Sequence, residues 1–457
     1  MFSKETYVIR RKILKEKIQN GLILLPGNQA MPFNYASNTF PFRQDSTFIY
    51  YIGVDQPDLF AIIDVDSGEE YLFGSNATPD DIIWTGLTPT VEQLAQSSGI
   101  THSGEPSNIA DIISQAVKQK RKIHYINPYQ PQISLMLANL LGINVNQLAQ
   151  NQSLALIHAV AEMRKIKEPQ EITEIDRAAR TTAIMEQFVI DAATDPACHE
   201  SEKSIRAALY RIFLKEGFFY SFPPIVTTHG EIFHQPEASK ERLKPGSILL
   251  ADIGAESDSH YAGDMTRSIP VGGKFTPQQK DIYDIVLEAQ KTVLNTARPG
   301  ETWLNIHLTA AKVITEGLKH LGFLTGSTDD IIKEGAYALF FPHGIGHLLG
   351  LDVHDMENLG EENFGYSETV KRSHQFGLCN LRYALELKEN MTLTDEPGIY
   401  FIPYLIEKWK AKKRFADFIN YNKALTYSDF GGIRIEDDIV ITQSGCRILG
   451  MEVKKEF

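Results

Sequence analysis

At 457 residues the chain is too long for one ordinary hydrophobic core, and its length calls for two or three domains. Its 43% hydrophobic and 23% charged residues are those of a soluble globular protein. The net charge of −13 excludes the basic surface that nucleic-acid phosphates require, so the short basic runs KEKIQ and KAKKR read as solvated faces.

Three cysteines, Cys198, Cys379 and Cys446, stand far apart and supply neither a disulfide framework nor zinc-binding pairs, which points to a reducing compartment. The N-terminus lacks the apolar core of a signal peptide, and no stretch approaches the roughly 20 apolar residues of a membrane span. A cytoplasmic protein with no membrane partner is expected.

In chain order, residues 4 to 19 have the spacing of a helix that Gly21 stops. GLILLPGN, TFIYYIGV, LFAIIDVDSG and EEYLFGSN read as strands with Gly, Asp or Asn punctuation. ADIISQAVKQKRK follows as a helix and IHYINP as a short strand. In PFRQDSTFIYYIG, Arg43 and Gln44 have the character of residues that pin a loop. This mixed α/β region carries no concentrated chemistry and ends near residue 155. Beyond it, 170 to 193 predicts a long amphipathic helix. A second begins at Thr276, where TPQQ supplies an N-cap hydroxyl, a first-turn proline and Gln279, and a third spans Trp303 to Leu321. SILLADIG and HYAGDMTRSIPV form a predicted hairpin with Asp252 and Asp264 on its arms. MTLTDEPGIY and GGIRIEDDIVIT predict two further strands, carrying Glu396 and Glu436.

Between those strand pairs lies FFPHGIGHLLGLDVHD, with His343, His347 and His354 in one short stretch. Imidazole both ligates metals and moves protons near neutral pH. A single acid in an apolar strand is ordinarily a salt bridge or turn cap. Four such acids beside a histidine motif repel one another unless a cation sits among them. Oxygen-rich donors with one imidazole suit hard or borderline ions such as Mn²⁺, and two such ions sharing a water make a hydrolase.

These motifs resemble those of the pita-bread metallopeptidases, and most closely the proline-specific members, aminopeptidase P and prolidase. The resemblance implies an α+β chain: an aminopeptidase P-type N-terminal domain over 1–155 and a pita-bread catalytic domain over 156–457. It implies five metal ligands, Asp252, Asp264 of GDMTR, His347 of HGIGH, Glu396 of EPG and Glu436 of RIED, holding two divalent ions, with Asp264 and Glu436 bridging them. Glu396 would also shuttle the proton of the attacking water. His354 matches a histidine that stabilises the tetrahedral intermediate, and His343 matches one lining the substrate pocket. His234 matches another pocket histidine, with His229 close enough to compete for the role. Arg434 matches an arginine beside the last glutamate, Thr266 a support for the second aspartate, and Arg382 an arginine of prolidase that holds a substrate carboxylate. In the first half, PFRQDSTFIYYIGVDQPD resembles the N-terminal domain of aminopeptidase P. Trp84 matches an aromatic lent to a neighbouring subunit's site, or else is a partly buried anchor. The expected activity is hydrolysis of Xaa-Pro bonds at peptide N-termini, with a dipeptide-restricted prolidase as the alternative and an inactive binding module as a distant one. A homodimer or homotetramer acting on proline-containing peptides is implied. Two departures stand out. The turn between Asp252 and Asp264 is one residue longer than usual, and Asp395 replaces an apolar residue beside Glu396. Strand alternation points Asp395 away from Glu396 and makes it a non-ligand.

Overall fold

In the computed structural model, which describes residues 1–457 apart from Pro196, Cys198 and His199, the chain divides into two units, Met1–Met163 and Arg164–Phe457. The division falls within the helix Leu154–Lys165, whose first residues carry the change of pattern that places a junction near 155. Cys198 thus lies outside the described residues, while Cys379 and Cys446 are free thiols.

The first unit is built on a five-stranded sheet in the order His102–Gly104, Glu70–Phe73, Phe60–Asp64, Leu22–Pro26, Ile123–His124. Leu22–Pro26 pairs antiparallel with Phe60–Asp64 and parallel with Ile123–His124. Alternate residues Leu22, Leu24, Phe60 and Ile62 bury against Ile109 and Ile113 of the helix Ser107–Lys118 and Leu137 of the helix Pro131–Leu141, as period-two side chains must when one face is covered. The expected strand TFIYYIGV is instead a helix, Ser46–Ile52. Its seven residues are all buried, so the run shows no period that separates helix from strand. Local chemistry decides it: the Asp45 side chain accepts from the Phe48 N–H, and Gly53 takes the left-handed conformation that ends the helix. Gln44 pins the adjoining loop, accepting from the Asn28 and Asp45 N–H groups and donating to the Gln56 carbonyl.

In the second unit the helices Pro169–Thr194, Pro277–Thr296 and Trp303–His320 occupy the expected stretches. The Thr276 hydroxyl accepts from Gln279 while the Gln279 side chain accepts from Thr276, a complete capping box. The strands Ile248–Ile253 and Met265–Pro270 pair antiparallel as the hairpin requires, with Asp252 opposite Thr266. A core of Leu249, Ala251, Ile253, Met265 and Ile269 packs beneath Met185 and Val189 of the long helix. The other two predicted strands are each broken in two. Thr392–Asp395 pairs with Asp437–Ile441, and Gly398–Tyr400 pairs with Gly432–Arg434. The gaps fall at Glu396–Pro397 and Ile435–Glu436. Pro397 has no N–H to give a ladder, so the strand yields there and frees Glu396 to turn into the interior.

Candidate active site

The catalytic candidates converge on a cavity of about 630 Å³ in the second unit. Asp252, Asp264, His343, His347, His354, Glu396, Arg434, Glu436, His234 and Arg382 all line it. His229 does not; its side chain is exposed and faces Glu231 at 3.2 Å, so His234 is the pocket histidine of the pair.

At the cavity floor, one ligand atom each from Asp264, His347 and Glu436 lies within 4.8 Å of the others. An isolated β-bridge between Thr266 and Glu436 ties the hairpin to the residue just before the strand Asp437–Ile441 and brings two of these groups together. His347 arrives on the HGIGH segment, fixed by its N–H to the Thr394 hydroxyl (3.1 Å) and by the Thr394 N–H to its carbonyl (2.9 Å). Its Nδ1 faces the Leu348 carbonyl at 3.0 Å, an acceptor only, so Nδ1 carries the proton. The lone pair of Nε2 then points at Asp264 Oδ2 (3.5 Å) and Glu396 Oε1 (3.7 Å), the tautomer that a metal needs.

Burial pushes the carboxyls of Asp264 and Glu436 well above their ordinary range, and the neighbouring acids push them further. Glu396 is raised by burial too, against the opposing pull of His347 and Arg434. Burial holds the His347 imidazole down, so its neutral form is favoured. Asp264 Oδ1 is buried without a hydrogen-bond partner. Such a cluster is costly as bare anions and is stabilised by a divalent cation, which satisfies the orphaned oxygen and the free imidazole lone pair together. The donor set therefore fits a metal of the oxygen-preferring class.

Asp252 is placed apart from this trio by its ion pair with Arg434. The guanidinium also donates to the Thr266 hydroxyl and the Tyr400 hydroxyl, both at 3.1 Å, and approaches Glu436 at 3.9 Å. Thr266 in turn donates to Glu436. His343 gives Nδ1–H to the Gly344 carbonyl and accepts from Tyr400 at Nε2, both at 2.8 Å. Burial, with Arg434 nearby, drops its pKa to about 3 and keeps it neutral. Tyr400 is the main residue that sequence reasoning missed. It ends the short strand Gly398–Tyr400 that follows the break at Glu396–Pro397, and its place at the close of the EPGIY motif is the signal that could have found it.

His354 lies edge-on to His347, with ring centroids 4.4 Å apart, and its Nδ1 meets Glu357 Oε2 at 2.8 Å. Arg382 Nη1 reaches the same Glu357 oxygen (3.1 Å) and Glu361 Oε1 (2.6 Å). The hydrogen bond from His354, helped by Arg382, holds the Glu357 carboxyl down at about 2. Under the histidine loop, Asp355 is buried between Arg164 (2.6 Å) and Lys167 (2.8 Å). The turn before Asp264 holds His260 against Glu256 at 2.7 Å. Trp84 is outside this unit, on the helix Pro79–Thr85, and is 86% exposed, so it is not an anchor within its own chain.

The description "metallopeptidase family M24" matches residues 164–443, and "aminopeptidase P, N-terminal domain" matches 7–125. An Xaa-Pro dipeptidase of Rattus norvegicus is 30% identical over 469 residues, covering 97% of this chain and 90% of that protein. A probable Xaa-Pro aminopeptidase of Sclerotinia sclerotiorum is 31% identical over 449 residues, covering 96% and 77%. Among solved structures, proline aminopeptidase P II from Yersinia pestis is similar with a TM-score of 0.79 at 26% identity, covering 100% of this chain and 98% of that one. Aminopeptidase PepP of Pseudomonas aeruginosa gives a TM-score of 0.80 at 27% identity, covering 99% and 96%. With the acid–histidine floor in place and both domain types matched, the chain belongs to metallopeptidase family M24, the pita-bread metallopeptidases, near aminopeptidase P and prolidase.

Proposed function

We propose that the chain is a proline-specific metallo-exopeptidase that hydrolyses the Xaa-Pro bond at the N-terminus of peptides, an Xaa-Pro aminopeptidase. The observation that carries the choice over a dipeptidase is the state of Arg382. Its guanidinium is already engaged by Glu357 and Glu361, so it does not stand open as a clamp for a dipeptide carboxylate. The dipeptidase reading keeps one support, that Arg382 lines the same cavity as the acid–histidine floor.

In this reading Asp252, Asp264, His347, Glu396 and Glu436 hold two divalent ions, most suitably Mn²⁺ given the oxygen-rich donors. The ions supply Lewis acidity and lower the pKa of water. Glu396, partly buried and with its pKa raised, accepts the proton of the attacking water and returns it to the proline nitrogen as the bond breaks. His354 donates to the developing oxyanion, while His343, kept neutral by burial, lines with His234 the wall that receives the proline ring. Arg434 balances Asp252 and Glu436. Trp84 serves a second copy of the chain in a homodimer or homotetramer. A cytoplasmic site of action accords with the sparse cysteines, and among the described residues no helix is long and apolar enough to cross a membrane.

Turnover of an Ala-Pro-Ala tripeptide, an Ala-Pro dipeptide and an Ala-Ala-Ala control by Mn²⁺-loaded protein tests the reading. The tripeptide should be cut after its first residue, the dipeptide more slowly and the control hardly at all. Equal cleavage of the control would sink proline specificity. Dipeptide turnover above that of the tripeptide would favour the dipeptidase.

A further inference from the structure

We propose that Glu357 is a positioning and specificity-determining residue that holds His354 for the reaction and, from the same carboxylate, blocks Arg382 against substrates ending in a free carboxylate after proline. The inference rests on the function proposed above and deepens it by naming what excludes dipeptides.

The geometry is compact. Glu357 Oε2 accepts from His354 Nδ1 at 2.8 Å and from Arg382 Nη1 at 3.1 Å, so one oxygen serves both groups. Giving Nδ1 to Glu357 leaves Nε2 as the ring nitrogen available to a bound peptide. The backbone is bent to make this contact. Met356, a buried residue, takes a left-handed conformation (φ 67°) immediately before the short 3-10 turn Glu357–Leu359. The Glu357 N–H caps the His354 carbonyl at 3.2 Å, which folds the carboxylate back over the imidazole. A left-handed non-glycine residue is uncommon and is held by its surroundings, here the buried methionine.

Arg382 and His354 line the cavity together, so the pair of contacts joins the recognition end to the reacting end. A carboxylate entering beside Arg382 meets Glu357 and Glu361 as like charges already in possession of the guanidinium. A peptide that continues past proline places a neutral amide there and meets no such repulsion. Glu361 is nearly buried and bonded to Arg372 as well, so it is the fixed partner. The Glu357 side chain is 52% exposed and is the partner that can leave.

Two variants separate the two roles. Glu357→Gln keeps an oxygen for His354 Nδ1–H but removes the charge. The KM for Ala-Pro should fall about 5- to 20-fold, screening at this half-exposed site limiting the gain, while kcat and the KM for Ala-Pro-Ala stay within about twofold. Glu357→Ala should show the same fall in dipeptide KM, with kcat about 10-fold lower on both substrates because His354 loses its support. An unchanged or raised dipeptide KM in both variants would overturn the specificity role. A normal kcat in Glu357→Ala would overturn the positioning role. A general structural defect would raise KM and lower kcat for both substrates alike. Calorimetric titration of metal-free protein with Ala-Pro and with Ala-Pro-amide reads the same competition without turnover. Glu357→Gln should bind the acid about fivefold more tightly and the amide equally; equal changes for both ligands would overturn the proposal. Wild-type protein that cleaves neither peptide would count against the peptidase reading alone, since the titration still decides whether Glu357 guards Arg382.

Discussion

Asp395 and Glu396 are chain neighbours with opposite surroundings. Glu396 lines the cavity and receives the Thr394 hydroxyl at 3.2 Å, whereas Asp395 stands off the cavity, opposite Asp437 in the strand pair. Both Asp395 oxygens are buried without a hydrogen-bond partner, and burial pushes the carboxyl well up. Its folded pKa exceeds the unfolded value, so the folded chain binds more protons than the unfolded chain across that interval. Stability must therefore fall as pH rises from the ordinary carboxylate range, about 4, toward the raised value. Asp395→Asn removes this loss: its Tm relative to wild type should climb with pH over that window, with turnover within about twofold. Glu396→Gln should abolish turnover at every pH. Equal loss of activity in the two variants would mean that Asp395 faces the site. The alternation of DEPG made this division legible without coordinates. It did not reveal that Asp252 Oδ2 pairs with Arg434, because pairing across 182 positions of chain leaves no local signal.

Among the elements, the strands and helices that position the acid–histidine floor follow from hydrophobic period and caps. The helix Ser46–Ile52 does not, since complete burial erases the period that distinguishes it from a strand. The interruptions at Glu396 and Glu436 were half legible: Pro397 announces the first, while nothing in IRIEDD announces the second. Placement of His347 depends on how closely its segment can approach the strand Thr392–Asp395, and Gly346 sets that approach. A Cβ at Gly346 would lie 2.0 Å from the Thr394 carbonyl oxygen and 3.0 Å from the Trp303 ring. Backbone cannot yield at that distance, so Gly346→Ala must push the HGIGH segment outward and carry His347 with it. The hydrophobic core beneath the hairpin is elsewhere and should keep the variant folded. The expected result is a folded protein by circular dichroism that binds Mn²⁺ at least about 10-fold more weakly, as loss of support for a ligand typically does. Normal affinity would show that His347 is not held by this contact.

For the molecule as a whole, the least economical feature is the helix Pro79–Thr85. Thr78 and Asp81 close a capping box at its start, Pro79 occupies the first turn, and Gly86 follows its end, so its sequence strongly favours a helix. Yet none of its residues is buried, and seven residues are too few for a helix to be stable alone in water. Ile83 is 76% exposed, and Trp84 and, just past the helix end, Leu87 are each 86% exposed. Large apolar side chains exposed together within five residues mark a contact surface more readily than singly scattered ones do. A second copy of the chain is the partner proposed above, and sedimentation velocity tests it. Wild-type protein should sediment at no less than twice the 51.4 kDa of one chain. Trp84→Ser combined with Leu87→Ser should shift it toward 51.4 kDa on dilution. Because neither side chain is buried in its own chain, the monomer formed should keep its circular dichroism spectrum and lose stability only as far as association had supplied it. Monomeric wild-type protein at high concentration, or an unchanged mass in the double variant, would remove this helix from the assembly surface.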